Sequence, residues 1–372
     1  ACEPYNISLH KEIKNLANKN SIQVFDFHAQ TIFEFDEIKN QSGGYFKVFT
    51  PFFNHCKKNF NKITNALPKP VKSGLKQLNL KSDKLDLLPK INWQKNFDLD
   101  FDYEKIEKNI DNFLNKKVLN YKQARNLPSL SGTSKISTYL SLGLISPKQI
   151  FFKIQNALLT HGNDENIDQY LAEIFWREFC HHLLFNFPSL LNKPFKNDFK
   201  NFPWIENKEL FAKWKKGETG FPIVDAGMRE LWQTGLMHNR VRMIVGSFLV
   251  KDLLISWTKG EEYFHDCLLD YNLASNAGNW QWVAGCGCDA APYFRIFNPT
   301  LQGQRFDEDG QYIKKWIPEL KKLPTKFIHE PWMADAKTLE YCNIKLGENY
   351  PKPMLDHGKA RDMALMIYKN LK

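Results

Sequence analysis

The apolar positions divide this chain into a short mixed beginning, a basic middle and a long helical remainder. Near the start, Leu9, Ile13 and Leu16 recur at helical spacing. Ser21 to Phe27 (SIQVFDF) then carries the β-branched and aromatic residues of a strand. Residues 1–60 are therefore expected to form a partial α/β segment. From about Tyr103 the period is helical almost throughout. Ile106, Ile110 and Phe113 fall on one face, as do Ile167, Tyr170, Leu171, Ile174 and Phe175. Asn239 to Trp257 predicts one strongly apolar helix in which only Arg240, Arg242, Lys251 and Asp252 are charged. The fold class is mainly α, with residues 103–372 as its helical domain. No internal repeat interrupts it.

The middle changes the reading of the charge. The chain carries 51 Lys+Arg against 41 Asp+Glu, a net +10, which favours an anionic partner with nucleic acid first. Much of the excess sits between Lys57 and Lys95, where ten Lys face only Asp83 and Asp86, among Pro68, Pro70 and Pro89. That composition reads as a linker over residues 61–102 with a solvated basic face, so charge alone is a weak argument for DNA. No apolar run of about 18 residues predicts a membrane span, and no signal peptide is visible. The seven Cys are scattered and odd in number, which fits reduced thiols in a cytoplasm. Cys286-x-Cys288 lacks a second pair at ligand spacing, so no metal is expected.

The candidate chemistry lies in a few strings. Asp270 to Pro299 (DYNLASNAGNWQWVAGCGCDAAPYFRIFNP) is rich in aromatics, Asn and Gly and has no Lys or Glu. On a helix Asn276 and Trp280 share a face and Trp282 points elsewhere. Two indoles aimed at different compartments suggest a wall between a buried cofactor and an outer pocket; the alternative is that each fills core. SGTSKIS sets Ser131, Thr133, Ser134 and Ser137 around Gly132 before an apolar helix. A helix start suits a pyrophosphate, and equally an ordinary N-cap. Arg177, on an otherwise apolar helix, needs a phosphate or a carboxylate as partner. Asn239, Arg242 and Met243 share one helical face. Glu173 and Trp176 share another, where a Glu is ordinarily an ion-pair partner.

Taken in order, YKQARNLPSLSGTSKIS, LAEIFWREF, GETGFPIVDAGMREL, MHNRVRMIVGSFLVKDLLISW, the Asp270 string and FNPTLQGQRFD resemble the DNA photolyase/cryptochrome family. The likeness is greatest to the bacterial class I enzymes for cyclobutane pyrimidine dimers. The resemblance implies a helical FAD-binding domain behind a doubly wound α/β domain and a long linker. The opening ACEPY resembles the middle of that first domain, so much of it is expected to be lacking, in a fragment or a genuinely shortened protein. For the same reason a folate or deazaflavin antenna is not expected.

The same resemblance assigns roles. FAD, active as FADH⁻, would be held by Tyr121, by Thr133, Ser134, Lys135, Ile136 and Ser137 at phosphate and ribitol, and by Tyr170, Glu173, Arg177, Asn239, Arg242, Asp270, Asn272 and Asn276. Arg242 pairs with Asp270 beside the isoalloxazine ring, and Asn276 faces flavin N5. Asn272 stands where many relatives have Asp; Leu236 and Tyr170 stand where some have Trp. Glu173 hydrogen-bonds the dimer and Trp176 packs against it. Met243 and Trp282 wall the same pocket, Asn239 and Arg240 reach toward it, and Arg125 contacts DNA. Excited FADH⁻ would give the extruded dimer one electron, the cyclobutane would split, and the electron would return. Trp204, Trp257 and Trp280 match a relay that photoreduces the flavin. The implied partner is UV-damaged DNA, and the implied protein is a cytoplasmic monomer. A cryptochrome-type blue-light photoreceptor and a (6-4) photoproduct lyase remain as alternatives. Against the second, His238 is followed by Asn239 rather than by another His.

Overall fold

The computed structural model describes residues 3–27, 29–65, 97, 99–290 and 294–371. Most of the expected linker, from 66 to 96 and at 98, lies outside them. The helices are α1 (Pro4–Lys19), α2 (Phe49–Lys58), α3 (Tyr103–Asn112), α4 (Tyr121–Ala124), α5 (Ser137–Ser141), α6 (Pro147–His161), α7 (Glu165–Asn186), α8 (Lys208–Lys216), α9 (Pro222–Thr234), α10 (Asn239–Ser247), α11 (Trp257–Cys267), α12 (Leu273–Ala284), α13 (Pro299–Phe306), α14 (Gln311–Trp316), α15 (Ala336–Tyr341) and α16 (His357–Lys369). Among the described residues the sole β feature is an isolated bridge, Leu346 to Tyr350.

Local chemistry sets the ends of the helices that matter for the site. Asp164 caps α7, accepting from the Asn166 and Ile167 amides at 2.7 and 3.3 Å. Asn272 caps α12 by accepting from the Ser275 amide at 3.0 Å, and Gly285 closes that helix at φ 87°, a conformation open chiefly to glycine. Two apolar cores result. One joins the stretch from Ile32 to Cys56 with α3, α6 and α7. The other gathers α8 to α12, α14 and α16. Helices α7 and α12 pack on each other and connect the two. The GETGFPIVD string is scaffold: buried Asp225 accepts from the Thr219 amide and hydroxyl, both at 2.7 Å, from the Gly220 amide at 3.0 Å and from Tyr350 Oη at 2.9 Å. Those four donors meet the needs of a carboxylate taken out of water.

Three sequence expectations change. Residues 22–27 form no strand. Ile22, Phe25 and Phe27 are exposed, and the described neighbour is helix α1, whose His10 and Lys14 pair with Asp26; a helix offers no ladder for a strand to join. The stripe Leu9, Ile13, Leu16 is helical but faces outward. The helix expected from Asn239 to Trp257 stops at Ser247, widens into a π turn over Phe248–Asp252, and breaks where Leu254 takes φ 52°. Ser256 then caps α11, so Trp257 begins a new helix. The faces drawn for α3 and α7 hold: Ile106, Ile110, Phe113, Ile167, Tyr170, Leu171, Ile174 and Phe175 are all buried.

Candidate flavin and DNA site

Helices α10, α11 and α12 enclose a pocket with about 100 Å³ of interior space, within a wider solvent-open hollow of about 610 Å³. Eight of the expected site residues line it: Asn239, Arg242, Met243, Asp270, Asn272, Asn276, Trp280 and Trp282. Arg242 Nη2 donates to both Asp270 oxygens, at 3.0 and 2.8 Å, and its Nε donates to the Met237 carbonyl at 2.8 Å. The Asp270 side chain is only 5% exposed, so the guanidinium is held in one orientation by a carboxylate with little water of its own. Asn276 Nδ2 donates to the Glu261 carbonyl and carboxylate at 3.0 and 2.9 Å. Asn272 is both the α12 cap and a neighbour of His181, Nδ2 to Nε2 at 3.3 Å. Trp280 is buried against Phe264 and Trp214, with ring centroids 5.0 and 6.4 Å away, whereas Trp282 is partly exposed. Both indoles line this one pocket and pack on the same core, so they do not divide two compartments as their spacing suggests; they differ only in exposure.

A second cluster lies along α4 and α7. Arg125 Nη1 is 2.6 Å from Glu173 Oε1, and Gln169 Nε2 donates to the same oxygen at 2.8 Å. Burial pushes the Glu173 carboxyl above the ordinary carboxylate value, opposed by Arg125 and Gln169. Arg240 Nη2 donates to Asn126 Oδ1 at 2.5 Å, Arg240 Nη1 lies 3.8 Å from Met243 Sδ, and the guanidinium sits 4.4 Å from the Phe306 ring centroid. Consecutive residues 125 and 126 therefore link Glu173 to Arg240, and Met243 links that cluster to the pocket. His238 caps α10, accepting from the Arg240 amide at 3.2 Å; burial, then the charges of Arg240 and Arg242, hold it down at about 4, so it is neutral at pH 7.

A third cluster is polar but uncharged. Tyr170 Oη donates to Ser134 Oγ at 2.9 Å, and its ring meets Tyr121 edge-on at 5.1 Å. Ile136 is core, while Lys135 and Ser137 are exposed and Thr133 is partly buried. The helix after SGTSKIS is only five residues long, too short for the strong dipole its sequence suggests. Ser141 Oγ donates to the Tyr271 carbonyl, fastening this segment beside Asp270 and Asn272.

Two expected site residues are engaged elsewhere. Arg177 Nη1 donates to the Gln30 carbonyl at 2.6 Å and lies 3.9 Å from Glu178 Oε1, a carbonyl and a carboxylate in the first core. Trp176 stacks on Phe49 with centroids 3.8 Å apart and planes 8° apart, which closes one face of the indole expected to wall the dimer. Trp257 is buried in the second core, and Trp204 packs on Phe202 at 4.2 Å. The sequence reading missed Glu261, Gln169, Asn126 and Phe49. They are ordinary polar or aromatic residues whose role exists only through a neighbour distant in sequence. Among the described residues no group of His, Cys, Asp and Glu is arranged to hold a metal, and no helix is long and apolar enough to cross a membrane.

Comparison with known proteins gives the family. Residues 170–370 match the family model of the FAD binding domain of DNA photolyase, and residues 1–72 match that of DNA photolyase. A deoxyribodipyrimidine photo-lyase of Agrobacterium fabrum is 42% identical over all of this chain and 78% of its own length. One from Alkalihalophilus pseudofirmus is 39% identical over 94% of this chain and 73% of its own. A crystal structure of a class III photolyase from Agrobacterium tumefaciens superposes with a TM-score of 0.91 at 41% identity, covering 100% of this chain and 78% of that one. A Synechocystis cryptochrome superposes at 0.86 with 30% identity, covering 98% and 77%. The family is the expected one, and the solved photolyase is of class III rather than class I. This chain belongs to the DNA photolyase family.

Proposed function

We propose that this chain repairs cyclobutane pyrimidine dimers in DNA, driven by light, with FAD in the α10–α12 pocket. The observation that carries the reading is the fixed Arg242–Asp270 pair sharing one pocket with Asn276, in a chain alike over its whole length to a deoxyribodipyrimidine photo-lyase. The residues fit a flavin: a guanidinium for the electron-rich edge of the ring, an amide for its central nitrogen, and hydroxyls of Thr133, Ser134 and Tyr170 toward the ribitol and phosphates. Reduced FAD, excited by blue light, supplies the electron that opens the cyclobutane ring.

The chain's own residues do the rest. Arg242, oriented by Asp270, places a positive charge beside the ring and favours its anionic reduced form. Glu173 reaches the extruded base; its burial favours the protonated carboxyl, which donates a hydrogen bond where negative charge develops. Met243 and Trp282 exclude water from the space between. Arg125 and Arg240 meet DNA phosphates, and extrusion of the lesion costs a few kcal/mol, less than for an intact pair. Trp280 begins a path for electrons through Trp257 to Trp204. The enzyme acts as a cytoplasmic monomer. The Glu173–Arg125 pair beside the pocket favours repair over a purely sensory cryptochrome, because a sensor has no use for a donor aimed at a base.

Binding tests the substrate. An oligonucleotide holding one thymine dimer is expected to bind about 10³-fold or more tighter than its undamaged counterpart in fluorescence anisotropy. Its affinity is expected to fall with salt, with a log–log slope of about −0.9 for each phosphate neutralised. Equal affinity for the two oligonucleotides would sink the reading.

A further inference from the structure

The sequence assigns no role to α2, yet that helix supplies the ring on which Trp176 rests. Phe49 lies flat on the indole, with 3.8 Å between centroids and 8° between planes. Phe53, one turn further along α2, stacks on Phe49 at 5.5 Å and 17°. Phe179 stands nearly perpendicular to both members of the pair, 6.0 Å from Phe49 and 5.9 Å from Trp176. A ring equally distant from two stacked rings lies beside them, so Phe179 covers their edges and leaves the second indole face open. Trp176 is accordingly only partly buried, and among the described residues no other ring packs on it. Gln169 and Glu173 follow the same strip of α7 and are partly exposed too, so the open indole face lies one helical turn from the Glu173–Arg125 pair.

Phe49 is itself held. Its amide donates to Asp289 Oδ2 at 3.1 Å, and Phe49, Phe52 and Cys56 bury one side of α2 against α7. A tryptophan on a partly exposed helix face otherwise exchanges between rotamers, and a ligand that stacks on it must first order it. A flat ring fixed behind the indole imposes that order beforehand. We propose that Phe49 is a positioning residue, which sets Trp176 so that the extruded dimer adds as the next layer of the stack Phe53–Phe49–Trp176. The inference rests on the assignment of the dimer to the open face of Trp176. It goes beyond that assignment by naming what holds this wall in place, and it brings α2, which precedes the helical domain, into lesion recognition.

Fluorescence anisotropy with a single-dimer oligonucleotide and its undamaged counterpart tests this on the FAD-loaded full chain. Phe49→Leu keeps an apolar side chain of similar volume without a flat ring, and Phe49→Tyr keeps the ring. Phe49→Leu is expected to bind the dimer about tenfold more weakly, the scale of one weakened base–ring stack, with unchanged affinity for undamaged DNA. Phe49→Tyr is expected to bind it as the parent does. In a Trp176→Ala background, Phe49→Leu is expected to cause no further loss. Thermal unfolding checks that each variant folds, and Phe49→Met, with its adaptable side chain, takes the place of a leucine variant that does not. Dimer affinity unchanged in Phe49→Leu would overturn the proposal, as would an equal loss for both oligonucleotides or the same loss in Phe49→Tyr. A parent that selects the dimer, and still does so as Trp176→Ala, would refute this wall and leave the repair reading standing. A parent that binds both oligonucleotides alike would refute both.

Discussion

Arg242→Leu is expected to leave a protein that no longer retains FAD and that unfolds more readily. The substitution removes the bidentate partner of Asp270, whose side chain is 5% exposed, and the donor to the Met237 carbonyl. Breaking a buried pair by removing one member costs about 3–5 kcal/mol, because the remaining charge has lost both water and partner. Flavin content after purification and thermal unfolding measure the two effects separately. Adding Asp270→Asn removes the stranded charge. The double variant is expected to recover stability but not FAD, since the cation beside the ring is still missing. Full flavin retention in Arg242→Leu would contradict the placement of the ring beside this pair.

Glu173→Ala is expected to slow dimer splitting by about 10²-fold while FAD remains bound, the size seen when one preorganised donor is lost. Glu173→Gln keeps an N–H donor at the same reach and is expected to lose far less. The two variants also separate hydrogen bonding from charge. Burial raises the Glu173 carboxyl above its ordinary value, so the neutral, donating form persists to higher pH than in solution. The parent's splitting rate is therefore expected to fall as pH rises through that raised value, and the glutamine variant, which cannot ionise, is expected to be flat across the same range. Parallel pH profiles would show that Glu173 does not act as a donor. Arg125, at 2.6 Å, works against protonation, so its replacement is expected to extend the parent's active range upward.

Helical periodicity carried most of the fold, because α3 and α7 bury stripes wide enough to be read from spacing alone. It failed where structure depends on what lies alongside. Ser21 to Phe27 has the composition of a strand, but composition cannot supply a neighbour to pair with. The apolar run from Asn239 to Trp257 has no Pro or Asp-rich break, and a π turn with one positive φ at Leu254 leaves no mark in such a run.

The site was legible in the same uneven way. Asn239, Arg242, Met243, Asn276 and Trp280 have helical spacing, so two short helices bring them into one pocket. Arg177 and Trp176 met partners in the Gln30 and Phe49 regions, more than a hundred residues away, which spacing on one helix cannot reveal. Glu261 was invisible for a different reason: its contribution is the direction in which another residue's amide points.

The most direct test is a splitting assay on an oligonucleotide with one thymine dimer. Reduced, FAD-loaded protein is added and illuminated with blue light, and recovery of thymine absorbance is followed against a dark control. Recovery in light and none in the dark is the predicted result. No recovery in light, from protein whose flavin is bound and reduced, would contradict it.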